Sequence, residues 1–171
     1  MYVEVPIEHL QINPFTAIGG DKILITAGTP DNFNFMTASW GAMGVLWERN
    51  TVTVYVRTSR HTRTFLEASE GFTISFLPPE MKDVLIWCGE HSGRAVDKLK
   101  ESGLKPTFIP APSGGERVAF KQATLIFSCT KAAAVPLNAD VFFLDGIKDF
   151  YQGGDYHTQY IGFVDSILTN Q

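Results

Sequence analysis

The feature that most constrains this fold is a series of short apolar segments separated by turn residues. The clearest is TVTVYVR at residues 51–57, where Val52, Val54 and Val56 alternate strictly with Thr and Tyr. A repeat of two residues places alternate side chains on opposite faces of a strand, so the three valines share one face. The segment therefore predicts a β-strand with its valine face in the core.

The same reading divides most of the chain into elements. Strands are predicted over 22–28, 32–41, 51–57, 71–77, 123–135, 141–150 and 157–168, and helices over 62–69, 80–88 and 93–102. Thr62 is the expected N-cap of the first helix, Thr64 with Glu67 resembles a capping box, and Gly103 is the expected C-cap of the third helix. Residues 110–117, PAPSGGER, predict a loop.

Strands predominate, and no strand–helix–strand alternation persists along the chain. A doubly wound parallel sheet is therefore not expected. The pattern favours a mainly β protein, a closed antiparallel barrel with helices on its outside.

Size and charge set further limits. A length of 171 residues fits a single domain over 1–171, and there is no internal repeat or linker. The net charge of −4 supplies no basic field for nucleic acid or an anionic membrane. The N-terminus lacks the pattern of a signal peptide, and no apolar run approaches the ~20 residues that span a bilayer. We therefore expect a cytoplasmic protein with neither nucleic acid nor membrane as partner.

The two cysteines predict neither a disulfide framework nor a metal site. Cys88 and Cys129 lie far apart in sequence, and Cys88 forms only an isolated C-x-x-H pair with His91. Structural zinc needs four ligands at suitable spacing, so no metal is expected. The role of Cys88 stays open.

The segment NFNFMTASWG at 32–41 has an unusual composition for a strand. Small side chains such as Thr37, Ser39 and Gly41 follow an apolar start, and neither face is purely apolar or purely polar. This suits a strand that contacts the core on one side and lets a flat group approach its backbone on the other.

A second segment, RTSRHTRTF at 57–65, concentrates positive charge. Three arginines fall within seven residues, just after a strand and at the start of a predicted helix. Helix N-termini, hydroxyls and guanidinium groups together make an anion site. The alternative is a solvated basic turn that merely begins a helix. Neither a Walker A loop nor a dinucleotide-binding glycine pattern is present.

A planar ring against the first segment and an anionic tail at the second describe a flavin mononucleotide. The sequence resembles the flavin reductase-like family with the FMN-binding split barrel, which includes the flavoredoxins. The resemblance rests on four motifs in order: N-x-M-T-A-S-W-G at 34–41, R-T-S-R-H-T at 57–62, C-G-x-x-S-G-R-x-V-D-K at 88–98 and H-x-x-Y-I-G-x-V at 157–164. It implies an antiparallel split β-barrel with peripheral helices.

The resemblance also implies which residues bind FMN. Asn34, Met36, Thr37, Ala38, Ser39 and Trp40 would line the ring edge, with Thr37 and Ser39 near its polar atoms. Arg57, Thr58, Ser59, Arg60, His61 and Thr62 would form the phosphate segment. Ser92, Gly93, Arg94, Lys98 and His157 would complete the site, with Lys98 a candidate to stabilise the anionic reduced flavin.

Purely structural roles remain open for several of these residues. His157 could simply cap the last strand. Trp40 could be a packing residue, and Arg94 and Lys98, four apart on a predicted helix, could be surface charges.

The implied function is that of an oxidoreductase whose FMN carries the chemistry, so no protein acid–base pair is required. One form is an NAD(P)H:flavin reductase-like enzyme, and the alternative is a flavoredoxin-type electron carrier between redox proteins, without a nicotinamide site. A flavin-free barrel that binds another anion is a third interpretation. The family resemblance further implies a homodimer with each flavin near the subunit interface. The electron donor and acceptor, and whether FMN is held or exchanged, stay open.

Overall fold

The structure, a computed structural model, describes residues 1–170 and is built around antiparallel strands. The strands are β1 Tyr2–Glu4, β2 Ile23–Thr29, β3 Asn32–Ala38, β4 Gly41–Leu46, β5 Arg49–Arg57, β6 Gly71–Phe76, β7 Pro106–Pro110, β8 Glu116–Phe120, β9 Leu125–Pro136 and β10 His157–Asn170. The main sheet runs in the order β3-β2-β6-β9-β10-β5-β4, with β1 paired to the end of β10. Strands β7 and β8 form a separate hairpin.

The helices are short. They are α1 Pro14–Gly19, α2 His61–Ala68, α3 Lys82–Glu90, α4 Lys98–Ser102 and α5 Asp145–Lys148, with 3₁₀ turns at Ile7–His9, Pro79–Met81, Ala139–Val141 and Asp149–Tyr151. Asn13 caps α1 by accepting from the N–H of Phe15, and Pro14 occupies the first helical turn.

The two ends of the main sheet lie next to each other in the chain. Strand β3 ends at Ala38 and β4 begins at Gly41, so only Ser39 and Trp40 separate the first strand of the sheet order from the last. Two linking residues span only about 10 Å, so the sheet must curl until its ends meet. Within residues 1–170 no ladder pairs β3 with β4, which leaves an open seam in an antiparallel split barrel.

Two apolar clusters lie on the two sides of the curled sheet. One joins the valine face of β5 to Phe72, Phe127 and Tyr160. The other packs Phe35, Leu85 and other side chains between the sheet, α3 and the β7–β8 hairpin. Strand β3 contributes to both, through Met36 on one face and Phe35 on the other, so neither of its faces is solvent-exposed.

Most predicted strands are confirmed within two residues at each end. The exceptions are 32–41 and 141–150. The first is two strands, β3 and β4, broken at Ser39 and Trp40. The second is wrong, because β10 is already paired on both sides by β9 and β5 and leaves that segment no edge to join. It forms α5 and 3₁₀ turns instead, with Phe143 99% exposed.

The predicted start of α2 is also wrong. The helix begins at His61 with Arg60 in the N-cap position, and no side chain caps it. The Thr62 hydroxyl instead accepts a hydrogen bond from Asn34 Nδ2 (2.9 Å), and the Thr64 hydroxyl donates to the carbonyl of His61 (2.8 Å). Both hydroxyls therefore have other partners, and there is no capping box.

The predicted helix over 93–102 is confirmed only in its second half. Helix α4 begins at Lys98, with Asp97 accepting from the N–H of Lys100 (3.1 Å), and ends at Gly103 in the left-handed conformation, φ 67°. Residues 92–97 form turns against β3. In the predicted loop 110–117, the ends belong to β7 and β8, two strands that the sequence pattern missed.

Candidate functional site

Two adjoining polar cavities lie beside the seam between β3 and β4. The seam cavity, about 200 Å³, is lined by Met36, Thr37, Ala38, Ser39, Trp40, Tyr55, Arg57, Arg60 and His157. The basic cavity, about 230 Å³, is lined by Asn34, Met36, Arg57, Ser59, Arg60, His61, Thr62, His91, Ser92, Gly93, Lys98 and Asp155. Because Met36, Arg57 and Arg60 line both, the two cavities form one elongated site.

A neutral histidine lies at the seam end of this site. The ring of Trp40 lies 4.7 Å from that of His157, and His157 Nδ1 is 3.0 Å from the Tyr151 hydroxyl oxygen. Burial, reinforced by the positive charge of Arg57, lowers the pKa of His157 to about 4. His157 is therefore uncharged at neutral pH and serves there as a hydrogen-bonding group rather than a cation.

The hydroxyl of Thr37 does not face the cavity as a free donor. It donates to the carbonyl of Leu85 on α3 (2.6 Å), which ties β3 to that helix. A hydroxyl has one proton to donate, so Ser39 is the hydroxyl of this segment that remains available. Backbone groups of 36–40 make up the rest of this wall.

The basic cavity is held together by close contacts between β3, α2 and the 92–97 turns. A Cβ atom on Gly93 would lie 2.3 Å from Oδ1 of Asn34, whose Nδ2 already donates to Thr62. A larger residue would require the Asn34 amide or the turn to shift. Next to it, Nδ1 of His61 is buried and has no hydrogen-bond partner among residues 1–170.

Lys98 is the most deeply buried cation of the site, at 4% exposed. Its Nζ donates to the carbonyls of Phe35 (2.8 Å) and Cys88 (2.6 Å), which leaves one N–H free. Burial lowers the pKa of Lys98 to about 8, with the nearby Cys88 thiol acting in the opposite direction and Arg60 in the same one. Lys98 is thus no surface charge, and it lines the basic cavity rather than the seam cavity.

Three arginines are anchored to backbone carbonyls around the turn at 57–60. Arg57 donates to the carbonyls of Phe150 (2.9 Å) and Asp155 (2.8 Å), and Arg60 donates to that of Gly89 (2.8 Å). Arg94 donates to the carbonyl of Ser59 (2.9 Å). A carbonyl orients a guanidinium without neutralising it, so these positive charges remain available to an anion.

A carboxylate is also bound at this turn. Asp155 accepts from the Thr58 hydroxyl (2.7 Å), the Ser59 N–H (3.0 Å) and the Ser59 hydroxyl (2.6 Å). Burial raises the pKa of Asp155, but these hydrogen bonds and the charge of Arg57 outweigh burial and hold it below its usual range. The carboxylate is therefore charged at neutral pH.

The structure brings together the residues that the sequence singled out, except for two. Thr58 and Arg94 line neither cavity, although both contact neighbours of the site through Asp155 and Ser59. Sequence reasoning missed Tyr55, His91 and Asp155. Tyr55 shares a strand face with Arg57, and His91 lies within the 88–98 motif, so both carried a signal. Asp155 lay in a predicted turn, and nothing in the sequence there pointed to a role in the site.

An apolar cleft of about 550 Å³ adjoins the seam cavity and shares Ser39, Trp40 and Tyr55 with it. Its remaining lining residues are Pro14, Phe15, Ile18, Gly19, Gly41, Met43, Leu137, Phe142, Ile147 and Tyr151. A concave apolar site of this size, with few polar groups, matches the dimensions of small-molecule sites in proteins.

A family model matches most of the chain. The flavin reductase like domain matches residues 18–170, which include nearly all of the strands and both cavities. The chain belongs to the flavin reductase-like family. No curated protein sequence matches this flavin reductase-like chain.

Solved structures with this fold include several flavin proteins. An FMN-binding protein from Thermus thermophilus with bound 1-cyclohex-2-enone is 22% identical, with a TM-score of 0.63 over 86% of this chain and 69% of that one. A flavoredoxin from Methanosarcina acetivorans is 18% identical, with a TM-score of 0.66 over 88% and 69%. An FMN-binding domain of a flavin reductases-like enzyme from Shewanella baltica OS155 is 15% identical, with a TM-score of 0.68 over 99% and 77%.

The solved structures establish the antiparallel split-barrel fold, and the family match places the chain in a flavin-related oxidoreductase class. No helix within residues 1–170 has the length and apolar character needed to cross a bilayer.

Proposed function

We propose that this flavin reductase-like chain binds FMN with its ring in the seam cavity and its phosphate in the basic cavity. The observation that carries the proposal is the continuity of the two cavities through Met36, Arg57 and Arg60. In the seam cavity, backbone groups and the Ser39 hydroxyl are available to a flat ring. The basic cavity is lined by cationic side chains. A planar group with an anionic tail matches both ends at once.

The donor set fits this ligand. A Cβ atom at Gly93 would crowd the Asn34 amide, the buried Nδ1 of His61 is without a partner among the described residues, and Lys98 keeps one free N–H. With Arg60, these groups supply cationic and neutral donors to a phosphate. Unsatisfied buried polar atoms are costly, so a ligand that pairs with them is stabilised.

When bound, FMN supplies the redox chemistry, accepting reducing equivalents and passing them on. The residues of the chain bind FMN and orient its ring. Ser39 and the backbone of 36–40 position the ring edge, and the side chains of Trp40 and His157 line the same cavity. Neutral His157, held by Tyr151, offers a hydrogen bond there without adding charge.

We further propose that the chain is an NAD(P)H:flavin reductase-like enzyme. The apolar cleft beside the seam favours this function, since a flavin in the seam cavity would lie next to space for a second organic molecule. The Thermus thermophilus relative is described with small cyclic molecules bound. A flavoredoxin-type carrier needs no such space, although flavoredoxins share the fold.

The exposed apolar residues support a homodimer. Val45, Leu46 and Trp47 on the β4–β5 hairpin, and Phe143 and Leu144 before α5, are exposed. Monomers seldom expose apolar groups at this density. We propose that a second copy of the chain covers this region and completes the site.

A flavin fluorescence titration and an assay of NADH or NADPH oxidation test the proposed function. We expect the purified protein mixed with FMN to quench flavin fluorescence, and to oxidise NADH or NADPH well above the rate of free FMN. Flavin binding without oxidation of either nucleotide, together with reduction by a ferredoxin-like donor, would favour the carrier. No flavin binding would reject both.

A further inference from the structure

The phosphate segment already holds an anion that belongs to the chain itself. The carboxylate of Asp155 accepts from the Thr58 hydroxyl, the Ser59 N–H and the Ser59 hydroxyl, at 2.7, 3.0 and 2.6 Å. A backbone N–H and two hydroxyls converging on one charged oxygen pair are the same donor chemistry that a phosphate monoester requires. Each proton serves one acceptor well, so a phosphate at this turn and Asp155 exclude one another.

Asp155 also changes the charge of the cavity. It lines the basic cavity together with Arg57, Arg60 and Lys98, and it is the single acidic residue in that lining. Its carboxylate offsets one of the three positive charges that would attract a dianionic phosphate. Both the hydrogen bonds and the charge therefore oppose a phosphate in the same place.

Two glycines precede Asp155 in the segment that carries it. Gly153 and Gly154 precede it with φ of 91° and 80°, and a Cβ atom on either would meet nothing within 4 Å. Glycine adopts positive and negative φ with similar ease, so the backbone before Asp155 can change conformation once the bonds from Arg57 to the Asp155 carbonyl and from the Thr58 N–H to the Tyr156 carbonyl are released. On its other side, His157 is fixed in β10.

We propose that Asp155 is an internal competitor for the phosphate of FMN at Ser59, which lines the basic cavity, so that FMN is held less tightly and exchanges more readily. The inference rests on the proposed function and adds to it how tightly the phosphate is held. Riboflavin, which lacks the phosphate, does not compete with Asp155. Discrimination between the two flavins is therefore set partly by this residue.

The test is Asp155→Asn, with FMN and riboflavin titrated separately by fluorescence quenching. The substitution removes the competing charge, so we expect FMN affinity to rise at least ~10-fold, the effect of freeing about one hydrogen bond to a charged group. FMN dissociation should slow in proportion, while riboflavin affinity changes by less than about 2-fold. Asp149→Asn is the matched control, because Asp149 lies exposed on the same connection and lines neither cavity.

Other outcomes overturn the proposal in distinguishable ways. Unchanged or weaker FMN binding, or equal changes for both flavins, would show that Asp155 only supports the loop, and would leave the proposed FMN site standing. Absence of flavin binding in both wild type and variant would reject the FMN site as well. Asp155→Ala, checked by thermal melting, is the second variant. If both substitutions unfold the protein, Asp155 is a structural tie and not a removable competitor.

Discussion

At the scale of single residues, hydroxyl and cationic side chains in the site differ mainly in their partners. Thr37 and Ser39 lie two apart on the same segment, yet only the Thr37 hydroxyl is already committed to a helix carbonyl. Arg60 and Arg63 likewise differ. Arg60 lines both cavities, whereas the half-buried Arg63 lines neither and forms an ion pair with Glu67 one turn along α2 (2.7 Å).

This difference gives a matched pair of substitutions. We expect Arg60→Ala to weaken FMN binding roughly 10- to 150-fold, since a hydrogen bond to a charged group contributes about 1.5–3 kcal/mol. Arg63→Ala should leave it nearly unchanged, because Arg63 lines neither cavity. Titration of FMN and riboflavin into both variants measures this. Equal losses of the two flavins in Arg60→Ala would mean that Arg60 supports the fold instead.

Lys98 predicts a pH dependence of FMN binding. Its pKa of about 8 means that the side chain is charged below that pH and loses its charge above it. A bound phosphate favours the charged form, so FMN affinity should be greatest near pH 7, fall as pH rises through about 8 and decline further toward 9.5. The phosphate itself is already dianionic there, since its second pKa is about 6.

The measurement is the FMN dissociation constant at several pH values in wild type and Lys98→Met. The variant should bind FMN more weakly and show a flat profile over this range. Riboflavin should show no decline in either protein. A wild-type profile that matches the variant would exclude contact between Lys98 and the phosphate.

At the scale of elements, the site depends on how closely the 92–97 turns approach β3. Gly93→Ala would bring a Cβ atom to 2.3 Å from Asn34 Oδ1, so either the Asn34 amide must turn away from Thr62 or the turns must move away from the strand. Overpacking of this kind costs about 1–3 kcal/mol of stability. We expect a lower melting temperature and weaker FMN binding, because Ser92 and Lys98 move with the turns.

Gly89→Ala is the control for this substitution. It adds the same methyl group in α3, where the nearest atom, Cβ of Thr37, would be 3.4 Å away. Alanine is also favoured over glycine inside a helix. Melting curves and FMN titrations of the two variants should therefore differ clearly, and similar behaviour would contradict the close-approach argument.

At the scale of the whole molecule, the site lies beside an apolar cleft with exposed apolar side chains at its border. Phe15, at 87% exposed, and Phe142 border the apolar cleft, and the exposed Phe143 and Leu144 follow directly in the chain. If a second copy covers this surface and completes the site, flavin retention must depend on protein concentration, because association and binding are then coupled.

Size-exclusion chromatography with light scattering, run over a range of protein concentrations with FMN present, tests this coupling. We expect a dimer that loses flavin as it dissociates on dilution. A monomer of 18.9 kDa that retains stoichiometric FMN would rule out a shared site.

The sequence by itself determined the features that depend on local periodicity and turn chemistry. Strict alternation placed the valines of β5 on one buried face, and Gly103 ended α4 in the left-handed conformation. Through the family resemblance, the motifs at 34–41, 57–62, 88–98 and 157–164 pointed to most residues that line the two cavities, because each motif contributes at least one lining residue.

Only the tertiary structure decided the partners of those residues. The burial of Lys98 depends on carbonyls from β3 and α3, and the hydrogen bonds of Asp155 join positions almost a hundred residues apart. The segment 141–150 reads as a strand, but β10 already has a neighbour on each side. Local propensity sets what a segment can form. The curling of the sheet determines which strand edge, carbonyl or charged group the segment contacts. That contact determines the role of the segment.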